Sequence, residues 1–187
     1  MRTYIIVGLG LLIGFGAAWA GDPGATENGD ANLDSTRAVF RGKPGKPYHV
    51  VYVVDCSGSM LGSFDLVRST VHNSIATLHE NQQFRVISFG GQSFEPETQQ
   101  LVRASNENKI KAAEFIRDVQ PQGASDPIPA LERAFKALSQ ASRKPGKIVY
   151  LITDGDFSDS EKVLATIRSL NEKKDVAVFA VQCGRRS

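Results

Sequence analysis

The chain has 187 residues, which is enough for one globular domain with additional segments. Its apolar fraction of 41% is ordinary for a folded domain, so a sizeable hydrophobic core can form. The net charge is only +2 and the sequence contains no long basic cluster, which argues against a dedicated nucleic-acid-binding surface.

The first twenty residues are predicted to be an export segment. Arg2 precedes an apolar run from Tyr4 to Ala18, and Ala18-Trp19-Ala20 fits a small-x-small cleavage site. We favour a cleaved signal peptide at 1–20. The alternative is an uncleaved membrane tether, because residues 4–20 approach the roughly 18–20 residues that span a bilayer. In both cases the remainder is exported, to a periplasmic, extracellular or outward-facing membrane-anchored position.

Residues 21–47 have a different composition, rich in Gly, Asp, Asn and Pro. Such a segment cannot bury enough apolar area to fold, so we predict a flexible linker. The folded domain is then expected to occupy residues 48–187.

From residue 48 onward, strand-like and helix-like patterns alternate. The β-branched run at 48–54 is typical of a strand buried on both faces. Further strands are predicted at 83–89, 147–153 and 176–182, with a weak edge strand near 97–102. Helices are predicted at 65–79, 107–119 and 159–171, and one more opens at 125–127. This alternation predicts an α/β fold, with a doubly wound, mainly parallel, Rossmann-like sheet and helices on both faces.

The helix at 107–119 is expected to bury one face. Ile110, Ala113, Ile116 and Val119 recur at three-residue spacing and are predicted to form that face.

Three oxygen-bearing side chains follow the first strand directly. Asp55, Ser57 and Ser59 are spaced two residues apart and lie at one strand end. Carboxylate and hydroxyl oxygens are the ligands that suit Mg²⁺ or Mn²⁺. One carboxylate and two neutral hydroxyls make an incomplete site, which leaves room for water and for an acidic group from a partner.

Two later loops are predicted to join this site. Ligands of open parallel sheets bind beyond the carboxyl ends of the strands, at the topological switch point. Asp154 lies at such an end, in Thr153-Asp154-Gly155, and Ser125 lies in the loop 123–126. We therefore expect these loops to converge with the one that carries Asp55.

The combined pattern, Asp55-Cys56-Ser57-Gly58-Ser59 with a downstream Thr-Asp-Gly, resembles the von Willebrand factor A-type domain over about residues 48–184. The resemblance implies a metal-ion-dependent adhesion site for Mg²⁺ or Mn²⁺, with Asp55, Ser57, Ser59, Ser125 and Asp154 as ligands directly or through water. Ser125 stands where the family usually has Thr, and Ala124 replaces a common Gly. The implied function is non-enzymatic binding of a protein that presents Asp or Glu, with no nucleic acid involved.

Two alternatives remain open. The segment Gly155-Asp156-Phe157-Ser158-Asp159 resembles a late motif of haloacid dehalogenase phosphohydrolases, but that family needs a second Asp where this chain has Ser57. The other alternative keeps the fold, has lost the metal, and serves as a structural interaction module. Asp126, Asp156 and Asp159 are interpreted as helix caps or solvated acids.

The two cysteines are predicted to be buried packing residues. Cys56 follows one strand and Cys183 ends another, with a third strand expected between them. Two strand spacings amount to about 10 Å, which is beyond the reach of a disulfide.

Overall fold

A computed structural model describes residues 47–90, 100–142, 146–155 and 157–183. The predicted signal peptide and the predicted linker up to residue 46 lie outside the described residues, as do residues 97–99 of the weak strand and Asp156. Among the described helices, none combines the length and apolar character needed to cross a bilayer.

Five strands and four α-helices alternate along the described chain. The strands are β1 His49–Asp55, β2 Gln83–Phe89, β3 Val102–Arg103, β4 Lys147–Thr153 and β5 Val176–Gln182. The helices are α1 Phe64–Ala76, α2 Asn106–Asp118, α3 Ile128–Gln140 and α4 Ser160–Leu170, and a 3₁₀ turn spans Gly58–Gly62. The predicted bounds of β2, β4 and β5 are confirmed, and those of β1 differ by one residue at each end.

The strands form one sheet in the order β3-β2-β1-β4-β5. All neighbours are parallel except β3, a two-residue edge strand that pairs antiparallel with β2. The predicted α/β class with a mainly parallel sheet is therefore confirmed. β1 is the central strand and all seven of its residues are buried, which explains the apolar run from Val50 to Val54 between His49 and Asp55.

A hydrophobic core covers each face of the sheet. Val50, Tyr52 and Val54 of β1 pack on one side with α1 and α2. Val51 and Val53 pack on the other side with α3 and α4. Because successive strand residues point to opposite faces, β1 contributes to both cores, and full burial of each valine contributes roughly 1.5–3 kcal/mol.

The predicted buried face of α2 is wrong in part. Ile110 is 59% exposed, whereas Ala112, Ile116 and Val119 are buried. α2 packs mainly against α1 rather than on the centre of the sheet, so it buries only a narrow stripe. Hydrophobic spacing alone cannot show how wide a stripe the neighbouring elements will cover.

Both cysteines are free and buried, as predicted. Cys56 follows β1 and Cys183 follows β5, and β4 lies between those two strands. Burial raises the pKa of the Cys56 thiol to about 12 and that of the Cys183 thiol to about 11. Both thiols are therefore protonated near neutral pH, when thiols are poor nucleophiles.

We expect the native protein to react with a thiol-specific reagent at pH 8 at least about a hundredfold more slowly than the protein unfolded in guanidinium, because thiolate is scarce and access is blocked. The rate of labelling of the two thiols is the measurement. Rapid labelling of either thiol in the native protein would contradict the buried, protonated state.

Candidate functional site

The candidate site lies at the topological switch point of the sheet, where the chain crosses from one side of β1 to the other. From the central strand β1 the chain continues to β2 on one side, and it later returns to β4 on the other side. The carboxyl ends of β1 and β4 are therefore adjacent, and the loops that follow them diverge. A crevice at this position is where open α/β sheets bind ligands.

The carboxylate of Asp55 is the centre of the site. It is fully buried and accepts three hydrogen bonds. The backbone N–H of Ser57 donates to Oδ1 at 2.9 Å, while the hydroxyls of Ser125 and Thr153 donate to Oδ2 at 3.0 and 2.7 Å. Within the described part of the chain its partners are these three neutral donors, so the buried negative charge has no cationic partner there. A buried charge without an opposite charge is costly.

The first loop presents the two predicted serine hydroxyls together. The Oγ atoms of Ser57 and Ser59 are 3.1 Å apart, with Ser57 buried and Ser59 exposed. Met60 is fully buried, and its N–H donates to the carbonyl of Ser57 at 3.1 Å. The turn is therefore anchored in the core immediately after the second serine.

Backbone hydrogen bonds hold the second loop against the first. The N–H of Gln122 donates to the Cys56 carbonyl at 2.8 Å, and the N–H of Gly58 donates to the Gly123 carbonyl at 3.1 Å. These contacts bring the Ser125 hydroxyl to Asp55. The neighbouring Asp126 accepts the N–H of Ile128 at 3.1 Å. The N-cap position of α3 is Pro127, so Asp126 lies one residue ahead of the predicted cap position.

The third loop contributes a residue that the sequence analysis did not assign to the site. Thr153, the last residue of β4, is buried, donates to Asp55 and accepts the N–H of Gly155 at 3.0 Å. The predicted ligand Asp154 follows it and is half-buried, and its backbone carbonyl accepts the Gln182 amide at 2.9 Å. Thr153 could have been predicted from the sequence, because it is a hydroxyl residue at the end of a buried strand that neighbours the strand of Asp55.

Gly90 is a second residue that the sequence analysis did not assign to the site. It follows β2 with a φ of +100°, and a Cβ placed there would lie 2.5 Å from the backbone nitrogen of Ser57. The N–H of Cys56 also donates to the Phe89 carbonyl at 2.7 Å. The end of β2 therefore supports the backbone of the Asp55 loop by direct contact, which only glycine permits.

Two of the oxygen–oxygen separations equal the ligand spacing of a small divalent cation. Neighbouring ligands in an octahedron with metal–oxygen distances of 2.0–2.1 Å are about 3 Å apart. The separations of Ser57 from Ser59 and of Ser125 from Asp55 are 3.1 and 3.0 Å. In the described ranges no three His, Cys, Asp or Glu side chains form a metal-binding cluster, so the candidate set depends mainly on hydroxyls.

The loops that precede α3 and α4 also carry aspartates. Asp126 and Asp159 are exposed, and Asp154 is half-buried. Asp159 accepts the N–H of Lys162 at 2.8 Å and caps α4, as predicted. The Cys56 thiol, the nearest alternative ligand in sequence, donates to the Val54 carbonyl at 3.6 Å. The chemistry available here is therefore that of hard oxygen ligands.

Comparison with known proteins identifies a family. Residues 50–157 match the von Willebrand factor type A domain. The chain is 31% identical over 117 residues to inter-alpha-trypsin inhibitor heavy chain H4 of Sus scrofa, covering 59% of this chain and 12% of the relative. It is 28% identical over 140 residues to heavy chain H3 of Bos taurus, covering 69% and 16%. The chain thus spans less than a fifth of the length of these relatives.

Solved structures share the fold. A von Willebrand factor type A protein from Catenulispora acidiphila has a TM-score of 0.62 and 23% identity, covering 72% of this chain and 32% of that one. The manganese-loaded TRAP protein of Plasmodium vivax has a TM-score of 0.58 and 20% identity, covering 73% and 58%. At these identities the likeness establishes the fold alone.

Replacing Gly90 by alanine tests the support of the Ser57 backbone. We expect Gly90→Ala to lower the free energy of unfolding by about 1–3 kcal/mol more than Gly146→Ala, because its Cβ overlaps backbone atoms of Cys56 and Ser57. Gly146 is a matched control. It also has a positive φ, of +85°, but it precedes β4 and lies at the end of the strands opposite to the site. Urea unfolding in EDTA is the measurement, and equal losses would contradict the interpretation.

Proposed function

The chain belongs to the von Willebrand factor type A domain family, and we propose that it is an exported, non-enzymatic module that binds a protein partner through Mg²⁺ or Mn²⁺. Domains of this family are protein-interaction modules. The observation that carries the metal-dependent part of the proposal is the cluster of hydroxyl and carboxylate oxygens around the buried Asp55.

Specific residues would hold the cation. Ser57, Ser59 and Ser125 offer hydroxyl oxygens, and Asp55 and Asp154 offer carboxylates, directly or through water. When bound, the cation supplies the positive charge that the buried Asp55 lacks, together with a coordination position for a carboxylate of the partner. Thr153 fixes the orientation of Asp55 through its 2.7 Å hydrogen bond.

Charge explains why partner binding is expected to require the cation. The partner is proposed to present Asp or Glu, and the loops that precede α3 and α4 carry Asp126, Asp154 and Asp159. Like charges repel, so an acidic partner is expected to approach favourably only when a cation offsets the charge of Asp55 and of these aspartates. The manganese-loaded state of the similar Plasmodium vivax protein supports the choice of metal.

The alternatives are less well supported. The comparisons give no support to a haloacid dehalogenase phosphohydrolase, and the position where that family needs a second Asp is Ser57, whose N–H donates to Asp55. A fold that has lost its metal was suggested by Ser125 in place of Thr. The Ser125 hydroxyl nevertheless lies 3.0 Å from Asp55, so the substitution keeps the oxygen in place.

Export is proposed from the N-terminal sequence. Residues 1–20 have the pattern of a signal peptide or of a membrane tether over residues 4–20, and residues 21–47 have the composition of a linker. The module is then expected to act in the periplasm, outside the cell, or on the outer side of a membrane.

We expect Mg²⁺ or Mn²⁺ to raise the melting temperature of the protein relative to EDTA. A cation at about ten times its Kd adds about 1.4 kcal/mol to the free energy of unfolding, because it binds the folded state only. Asp55→Asn should abolish the shift, and Ser125→Ala should reduce it. Differential scanning calorimetry with and without metal is the measurement.

A matched control uses the acid next to Ser125. Asp126→Asn removes the charge next to Ser125 but keeps a side-chain oxygen that can accept the N–H of Ile128, so it should retain the metal-dependent shift. Absence of any shift in the unmodified protein, together with no heat of binding in titration calorimetry, would favour the structural module that has lost its metal.

Partner capture is expected to depend on the cation. The immobilised protein should retain a partner from envelope extract in Mg²⁺ and release it in EDTA, and Asp55→Asn should capture none. The retained proteins are identified by mass spectrometry. Equal capture in Mg²⁺ and in EDTA would contradict a contact completed by a partner carboxylate.

A further inference from the structure

The 3₁₀ turn that carries the site serines also exposes a leucine. Leu61 lies two residues after Ser59 and is 71% exposed, the highest value among the large hydrophobic side chains that the structure describes. The next most exposed, Ile110, lies on α2. A leucine that contributes so little to the core of the domain is available for contact with another molecule.

The backbone around Leu61 is held firmly in place. Met60 before it is fully buried, and the Met60 carbonyl accepts the N–H of Ser63 at 2.9 Å. The Met60 N–H also donates to Ser57, so Leu61 and the site serines belong to one anchored turn. A side chain on a fixed backbone loses less conformational freedom when it is buried by a partner.

The turn that carries Leu61 is open and contains no charged residue. Gly58 and Gly62 are exposed, and no atom lies within 4 Å of a Cβ placed on Gly62. The hydrogen bond from Gly58 to Gly123 joins this turn to the second loop. The next charged residue along the chain, Asp65, is paired with Arg68 at 2.7 Å. Apolar contact is therefore favoured at Leu61.

We propose that Leu61 is a specificity-determining contact, and that the partner's acidic residue is flanked by an apolar side chain which packs on it. This inference rests on the proposed function, since it places the partner's carboxylate at the cation. Burial of Leu61 would also remove water from the turn that carries Ser59, which would strengthen a carboxylate contact made there.

Small carboxylates test the inference without knowledge of the partner. The protein in saturating Mg²⁺ is titrated with acetate, butanoate and hexanoate, and binding is followed by NMR. We expect hexanoate to bind about tenfold more tightly than acetate, because its methylenes are partly buried on Leu61. Hexanamide, which lacks the carboxylate, should bind far more weakly, and EDTA should abolish binding of all the acids.

Two variants separate Leu61 from general hydrophobic attraction. Leu61→Ser should make the affinities for acetate and hexanoate equal while retaining the Mg²⁺-dependent rise in melting temperature. Ile110→Ser removes a similarly exposed side chain from α2 and should leave the tenfold preference unchanged.

The outcomes distinguish this inference from the proposed function. Equal binding of acetate and hexanoate to the unmodified protein, or a preference that persists in Leu61→Ser, would overturn the role of Leu61 and leave the metal-dependent contact standing. Absence of Mg²⁺-dependent binding of every acid would overturn the proposed function, and this inference with it.

Discussion

The buried carboxylate of Asp55 is the constraint on which the site depends. Its two oxygens accept hydrogen bonds from residues 57, 125 and 153, the last of which is 98 positions away in the chain. A charge in this environment is tolerated only when its acceptor positions are filled, so the three loops must meet. The approach of the Ser125 and Thr153 hydroxyls to Asp55 follows from that requirement, and the proposed cation would add a positive charge beside this carboxylate.

The same strand provides both the stability and the chemistry. β1 is buried along its whole length and contributes side chains to the hydrophobic cores on both faces, and it then ends in an acidic residue. The sheet therefore positions Asp55 rigidly, and the loops adjust to it. Met60 acts similarly, because its buried side chain fixes the turn in which Ser59 and Leu61 are exposed. Apolar burial thus determines where the polar groups lie.

Local sequence patterns predicted the strands well, because buried parallel strands are short, β-branched and bounded by turn residues. They also indicated the loop of Asp55, Ser57 and Ser59 at the end of a buried strand. Ser125 was assigned to the site from its position in the family resemblance, and its hydroxyl does contact Asp55. Ile110 was misplaced because the width of a buried helix stripe depends on the neighbouring helix. The role of Gly90 had no local signal, since its close approach to Ser57 joins two strands that are distant in sequence.

The direction of β1 also sets how the domain is displayed. The strand begins at His49 and ends at Asp55, and its seven residues place the two ends of the strand about 20 Å apart. Anything joined to the chain before residue 47 is attached at the end of β1 opposite to the Asp55 cluster. A protein held by that end would direct the Asp55 cluster away from the point of attachment.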